Sequence, residues 1–245
     1  MITKSTIKQV ASLRQQKFRK ELGLFTVEGR KMVSELLESH FETICLFATE
    51  AYCSENKISD SRLETVTEVQ MQQMSGLDTP PGILAVAKIP KQNKALTEGD
   101  FILALDGISN PGNMGTIIRT AEWFGISGII CSSDCVEIWN PKVIQATMGS
   151  VFRMRIGEAS LPEYLEQAKE AGKVIYGALL QGENLFQLEK KKGGIIVIGS
   201  ESHGIRSEVL PFITRPITIP RANGSVTESL NASIAAAIIM AEMTK

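Results

Sequence analysis

The stretch Ile217-Thr-Ile-Pro220-Arg221-Ala-Asn-Gly-Ser-Val-Thr227-Glu228-Ser-Leu-Asn231-Ala-Ser-Ile234, with the alanine-rich run that carries it to Met243, decides how the rest of the chain is read. Its first four residues have the character of a strand end, closed by Pro220, which has no N–H to give to a ladder. The seven that follow, rich in Asn, Gly, Ser and Thr, read as a loop. From Glu228 the pattern predicts a helix with Thr227 as its candidate cap, and Ile234, Ala235, Ile238, Ile239 and Ala241 make it apolar almost all round. Such a helix belongs in a core or an interface, where its small residues let another backbone come close. Ser229, Asn231 and Ser233 then fall in its first two turns, where free backbone N–H groups and the helix dipole favour a polar or anionic partner. Taken singly, each reads equally well as a helix-start residue bonded to its own backbone.

Two other strand ends carry unusual polar sequences. The continuous apolar run Phe101-Ile-Leu-Ala-Leu105 predicts a central parallel strand, and it leads into Asp106-Gly-Ile-Ser-Asn110-Pro-Gly-Asn113-Met-Gly115-Thr-Ile-Ile-Arg119-Thr-Ala. Asn-Pro-Gly-Asn is turn chemistry, and a helix is expected from about residue 114 to 124. Asn113 can serve there as a simple cap and Arg119 as a surface charge. Arg119 lies between Ile118 and Ala121 in an otherwise apolar helix, however, which suggests a specific target. The second strand end is Gly199-Ser-Glu201-Ser-His203-Gly204, after Ile195-Ile-Val-Ile198: two glycines bracket a carboxylate and allow backbone to approach a ligand. By itself Glu201 could cap the next helix. In an open parallel sheet, ligands bind beyond the carboxyl ends of strands, so all three stretches are expected on one edge.

Together they resemble the three signature motifs of the SpoU (TrmH-like) RNA ribose methyltransferases of the SPOUT superfamily. Asp106 to Ala121 follows D-x-x-x-N/D-P-x-N-x-G-x-x-x-R-x-A, Gly199 to Gly204 follows G-x-E-x-x-G, and Ile219-Pro220 to Ser233 follows I-P … G … E-S-L-N-x-S. The last stretch departs from the pattern: Arg221 stands where an apolar residue is usual, and seven residues, not about five, separate Pro220 from Glu228. The resemblance implies an α/β fold: a small N-terminal α/β substrate-binding domain over 1–92, then a mostly parallel sheet with a deep trefoil knot over 99–245. It also implies a homodimer paired through the knotted domain, although the apolar C-terminal helix could equally be internal core.

By the same resemblance the activity is S-adenosylmethionine-dependent methylation of a ribose 2′-hydroxyl in RNA. Leu179, Leu180, Gly199, Glu201, Gly204, Ile219, Ser229 and Leu230 would hold the cofactor. Arg119, Asn113, Glu201, Ser229 and Asn231 would form the catalytic set. The chemistry is compatible with these residue types, since adenine needs apolar walls and backbone donors and acceptors, which Ile198, Ile219 and Leu230 can supply at loop edges. The methyl group leaves a sulfonium by in-line displacement, which positioning of the nucleophile accelerates. Because a guanidinium keeps its protons in proteins, Arg119 is read as a fork on the adjacent phosphate and the developing alkoxide, not as a base.

The N-terminal third adds a charge asymmetry. Residues 1–30 hold seven Lys/Arg against two Glu, whereas 31–93 hold nine acids against five bases, on a chain whose net charge is −1. That basic edge suits one piece of a structured polyanion, with Lys17, Arg19, Lys20 and Arg30 as candidate RNA contacts, and it suits a solvated helix face equally well. Ile7, Val10, Leu13, Phe18 and Leu22 predict a helix stopped by Gly23. Strands are expected at 24–27, 43–47, 64–67 and 83–87, alternating with helices, and Pro90 to Gly99 reads as a linker. The basic helix, Leu24-Phe-Thr-Val-Glu28-Gly29 and Pro81-Gly-Ile-Leu-Ala-Val86 resemble the substrate-binding domain of many SpoU enzymes, itself similar to small RNA-binding ribosomal proteins. Further strands are expected at 128–131, 152–156, 174–178 and 195–198, helices at 141–148, 161–171 and 206–211, and a solvated turn at Lys190-Lys-Lys192.

Composition excludes several classes. With 43% hydrophobic and 22% charged residues, no membrane-length apolar run and no secretory leader pattern, the expectation is a soluble cytoplasmic protein. Four cysteines and two histidines are too scattered for a metal site, and no metal is expected. The absence of G-x-G-x-x-G after any expected strand argues against a nucleotide-dependent oxidoreductase. A non-catalytic RNA- or ribosome-binding protein on the same fold stays open as the alternative. Ribosomal RNA is favoured over transfer RNA as the target because of the extra N-terminal domain.

Overall fold

The computed structural model describes residues 2–90, 100–189 and 193–245. Most of the expected linker and the Lys190–Lys192 turn lie outside the described residues. The chain divides into two compact units.

The first unit is built on α1 (Lys4–Ser12), α2 (Gln16–Leu22), β1 (Leu24–Glu28), α3 (Arg30–Leu37), β2 (Thr43–Thr49), α4 (Glu50–Glu55), β3 (Leu63–Val66), α5 (Glu68–Met74) and β4 (Ile83–Lys88). Its four strands run in the order β1-β4-β2-β3, with β4 antiparallel to both neighbours and β3 parallel to β2. Ile7, Val10 and Leu13 meet Phe47, Met71, Met74, Leu84 and Val86 in its core. The single helix expected over residues 7–22 is two helices. At the break the carbonyls of Leu13 and Arg14 both accept from the Arg19 guanidinium, at 2.7 and 2.8 Å, which satisfies groups that a continuous helix would have bonded internally. Gly23 ends α2 in the left-handed region, at φ 64°.

Residues Glu137–Arg153 belong to this first unit, although they fall inside the stretch that the sequence assigns to the second domain. They carry α7 (Pro141–Thr147), which packs on β1, and a 3-10 turn at Ser150–Phe152. Trp139 lies 4.8 Å from Phe25, ring centre to ring centre, and Phe152 lies 5.4 Å from Phe41. The expected strand at 152–156 is therefore wrong for most of its length: Phe152 is drawn into an aromatic cluster, and pairing begins only at Ile156.

The second unit contains β5 (Phe101–Asp106), α6 (Pro111–Trp123), β6 (Gly128–Cys131), β7 (Ile156–Glu158), α8 (Leu161–Glu170), β8 (Ile175–Asn184), β9 (Gly194–Gly199), β10 (Arg215–Thr218) and α9 (Ala232–Met243). The sheet order is β10-β8-β9-β5-β6-β7, and every pairing is parallel. The near-continuous apolar runs of β5 and β9 are what a sheet covered on both faces requires. Ile102, Ala104, Ile195 and Val197 pack against Leu161, Tyr164, Leu165 and Ala168 of α8, while α6 packs along α9 and α9 also meets β9. The helix expected at 206–211 reduces to a 3-10 turn at Leu210–Phe212, with Pro211 inside it.

Candidate functional site

The helix expected from Glu228 begins four residues later. Asn231, not Thr227, is the N-cap of α9: its side-chain oxygen accepts from the backbone N–H of Ser233 at 2.9 Å and of Ile234 at 3.4 Å, and from the Ser233 hydroxyl at 2.7 Å. Residues 220–230 form an exposed loop instead, braced across its base where Arg221 donates to the Glu228 carbonyl at 2.7 Å. That brace uses the residue that departs from the motif. The early helix was expected because Glu228, Ser229 and Leu230 fit a helix start, yet only Asn231 has an amide oxygen placed on the first free N–H groups.

With its oxygen held by three donors, the Asn231 amide nitrogen faces away from α9 and donates to Asn113 Oδ1 at 3.0 Å. Asn113 in turn donates through its own nitrogen to the Glu201 carboxylate. One residue from each of the three polar stretches thus joins a hydrogen-bonded relay running from the α9 N-terminus through Asn231 and Asn113 to Glu201. Each amide is oriented by the one before it.

The loop bearing Glu201 is closed by paired bonds between Ser200 and Gly204, at 3.1 and 2.8 Å. A side chain at Gly199 has no room there, since a Cβ would lie 2.1 Å from the Gly204 carbonyl carbon. Directly after this loop, Arg206 donates its backbone N–H and its Nε to the two oxygens of Asp106, at 2.8 and 2.6 Å. Asp106 is fully buried at the end of β5 and holds the Arg206 guanidinium firmly protonated. Asp134 adds a weaker contact at 3.4 Å. The Asp106–Arg206 pair therefore ties the start of the Asn113 loop to the end of the Glu201 loop. Sequence reasoning missed it, although a carboxylate ending a buried strand had to have a partner.

Other expected residues stand apart from this relay. Arg119 is exposed and makes no hydrogen bond or ion pair among the described residues. It lies six residues beyond Asn113 on α6, roughly 120° around the helix and about 9 Å along it. Its own face carries Thr116 and the 84% exposed Trp123. Ser229 sits in the exposed loop, its side chain unbonded among the described residues. Leu179 is half-buried against the α8 core, Leu180 is exposed, Ile219 is half-buried and Leu230 is exposed. Of the candidate RNA contacts, Lys17, Lys20 and Arg30 are exposed. Arg19 must be withdrawn: it is 1% exposed and ion-paired with Glu137.

Beside the relay the sheet opens. The β8 pairing with β9 ends at Gly177, and its register with β10 jumps from Pro216–Gly177 to Ile217–Glu183. Ala178–Gly182 therefore bulges out of both registers, tethered where Thr218 donates its hydroxyl to the Leu180 carbonyl at 3.2 Å. The bulge brings apolar Leu179 and Leu180 and exposed peptide groups to the carboxyl edge of the sheet, near the strand end that leads to Ile219. Among the described residues no group of three or more His, Cys, Asp or Glu is placed to hold a metal ion.

Residues 100–241 match the model of the SpoU rRNA Methylase family, and residues 4–85 match that of the MRM3-like substrate binding domain. This chain belongs to the SpoU rRNA methylase family. Among SpoU relatives it is 27% identical over 241 residues to the 23S rRNA (guanosine(2553)-2′-O)-methyltransferase RlmP of Bacillus subtilis, covering 96% of this chain and 94% of that one. It superposes with a TM-score of 0.91, at 35% identity over 99% of this chain and 98% of the other, on a putative TrmH-family RNA methyltransferase from Porphyromonas gingivalis. An AdoMet-bound rRNA methyltransferase from Sinorhizobium meliloti matches with a TM-score of 0.86 at 26% identity, over 99% and 95% of the two chains.

Proposed function

We propose that this chain transfers a methyl group from S-adenosylmethionine to a ribose 2′-hydroxyl of ribosomal RNA, as a homodimer paired through a knotted second unit. The observation that carries the reading is the relay from Asn231 through Asn113 to Glu201, which draws three separated loops to one edge of a parallel sheet. The relatives' names, the cofactor in the Sinorhizobium meliloti structure and the match to a substrate-binding domain support it.

The residues present fit the cofactor. The Ala178–Gly182 bulge offers peptide groups outside the sheet register, with Leu179, Leu180, Ile219 and Leu230 as apolar walls for an adenine. Gly199 and Gly204 leave backbone uncovered beside Glu201. When bound, S-adenosylmethionine supplies a methyl on a sulfonium that is displaced in line. Asn113 and Glu201 orient the acceptor ribose, and Arg119 forks onto the neighbouring phosphate and the alkoxide oxygen as charge develops there.

The turn of α6 sets Arg119 about 120° away from Asn113, so we assign Arg119 to the site of a second subunit. Ile234, Ile238 and Ala241 leave an apolar stripe on α9 incompletely covered, and Trp123 is exposed beside Arg119. Both are surfaces a second copy would cover. Of the four candidate RNA contacts, Lys17, Lys20 and Arg30 remain as exposed cations for RNA phosphates. No described helix is long and apolar enough to cross a membrane, and we place the protein in the cytoplasm with its substrate.

The test is incubation of purified protein with labelled S-adenosylmethionine and ribosomal RNA, followed by mapping of ribose methylation. Label at one or a few 2′-oxygens is expected. Cofactor binding without any labelled RNA would leave a binding protein on this fold, and label confined to transfer RNA would reassign the substrate.

A further inference from the structure

We propose that Cys131 and Cys135 form an oxidisable dithiol, in which Cys135 reacts with a hydroperoxide and Cys131 then closes an intramolecular disulfide. The pair lies outside the relay. Cys131 ends β6 and is 3% exposed. The chain turns through Ser132, Ser133 and Asp134, and the Cys135 N–H bonds back to the Ser132 carbonyl at 3.1 Å. The Cys135 sulfur then lies 3.4 Å from the carbonyl of Leu105, the strand partner of Cys131, so the turn folds Cys135 back onto the strand end that Cys131 occupies; a disulfide needs such a close approach of its two side chains.

The surroundings divide the labour between them. Around the half-buried Cys135 sulfur stand the Ser132 hydroxyl at 3.4 Å, the Cys131 thiol and the backbone N–H groups of Gly107 and Ile108. These donors favour a thiolate and outweigh burial, holding the Cys135 thiol down at about 7. Opposing them is the Leu105 carbonyl at 3.4 Å, which accepts from the S–H of the neutral form. Cys131 has the complementary role: it donates toward Cys135, is buried, and its thiol is held well above the ordinary range. In the first unit, burial and Glu64 push the Cys45 thiol up to about 11, which keeps it protonated and unreactive.

The chemistry balances with hydrogen peroxide as oxidant. The Cys135 thiolate attacks one peroxide oxygen; the O–O bond breaks, an S–O bond forms, and hydroxide leaves and takes up the proton shed by Cys135. Cys131 then attacks the sulfenic sulfur; the S–O bond breaks, the S–S bond forms, and the departing hydroxide takes the Cys131 proton. Two thiols and one peroxide give one disulfide and two waters.

The full-length protein is treated with graded hydrogen peroxide, alkylated under denaturing, non-reducing conditions and analysed by peptide mass spectrometry. The expected product is a Cys131–Cys135 disulfide, lighter by two hydrogen atoms and reversed by dithiothreitol, while Cys45 and Cys53 remain alkylatable. In Cys131→Ser, oxidation is expected to stop at Cys135 and be captured there by dimedone. If Cys131 and Cys135 stay alkylatable at peroxide levels that oxidise Cys53, or if dimedone marks Cys53 instead, the proposal fails. Should the serine variant not fold, the wild-type protein decides: iodoacetamide at pH 7 should label Cys135 about tenfold faster than Cys53, and an equal or slower rate overturns it.

Discussion

Asn231 and Asn113 are joined by a hydrogen bond of fixed direction: the Asn231 nitrogen donates to the Asn113 oxygen at 3.0 Å, because three donors at the start of α9 already hold the Asn231 oxygen. The alternative amide orientation would set two oxygens against each other and leave the helix N-terminus uncapped. A helix cap and a link to Asn113 are therefore two ends of one side chain, and they can be separated by mutation.

Asn231→Asp keeps a good capping oxygen but replaces the donor to Asn113 with a carboxylate oxygen. Thermal stability is expected to stay within about 0.5 kcal/mol, while methyl transfer falls by about 100-fold, the scale of one lost positioning contact. Asn231→Ala loses both functions and should cost about 1 kcal/mol of stability as well. Urea denaturation beside initial rates separates the two; equal activity of the Asp variant and wild type would remove the relay from the mechanism.

Arg119→Ala should abolish methyl transfer and leave S-adenosylmethionine affinity, read by calorimetry, within several-fold. Glu201→Gln should also be inactive or nearly so. If Arg119 serves the partner's site, a refolded equal mixture of the two variants contains heterodimers with one intact site each. Roughly a quarter of wild-type activity should then return. No recovery would place Arg119 in the site of its own subunit.

Gly199 and Gly204 close the same loop for different reasons. At Gly199 a Cβ meets backbone at 2.1 Å, whereas at Gly204 the space is open and only φ, at 65°, is unfavourable. Gly204→Ala should cost about 1–2 kcal/mol. Gly199→Ala should cost more, about 3 kcal/mol or above, because backbone must move. A smaller loss for Gly199→Ala would mean the loop is softer than its bonds suggest.

Arg206→Ala leaves the fully buried Asp106 carboxylate without its ion pair. Breaking a buried pair from one side costs about 3–5 kcal/mol, and the lower end applies here because Arg206 is one-third exposed. The loss should appear both in urea denaturation and as a slower methyl transfer, since the Asn113 and Glu201 loops lose the tie at their base and keep only the relay contact between them. Full stability in the variant would show that Asp106 finds another partner.

The parallel sheet and the meeting of three loops were legible in the sequence because they rest on local signals: apolar runs for β5 and β9, turn residues around Asn110 and Asn113, and glycines beside Glu201. What escaped depended on partners distant in sequence. Arg19 looks like one cation of a basic helix until Glu137, far along the chain, takes it inside. Phe152 has strand propensity until Phe41 and its aromatic neighbours claim it. The start of α9 was misplaced because Thr227 and Asn231 are both competent caps, and the Arg221 brace across the loop favours the later one.

The return of Glu137–Arg153 to the first unit has a practical consequence for dissecting this protein. A fragment cut near residue 92 would contain Arg19 but not its counter-ion, stranding a guanidinium in an apolar interior, and would lack the helix that covers β1. Its severed companion would carry an orphaned Trp139 and Phe152 on a peptide with nothing to fold against. The chain leaves the first unit and returns to it, so an isolated version of that unit has to be designed as a discontinuous graft.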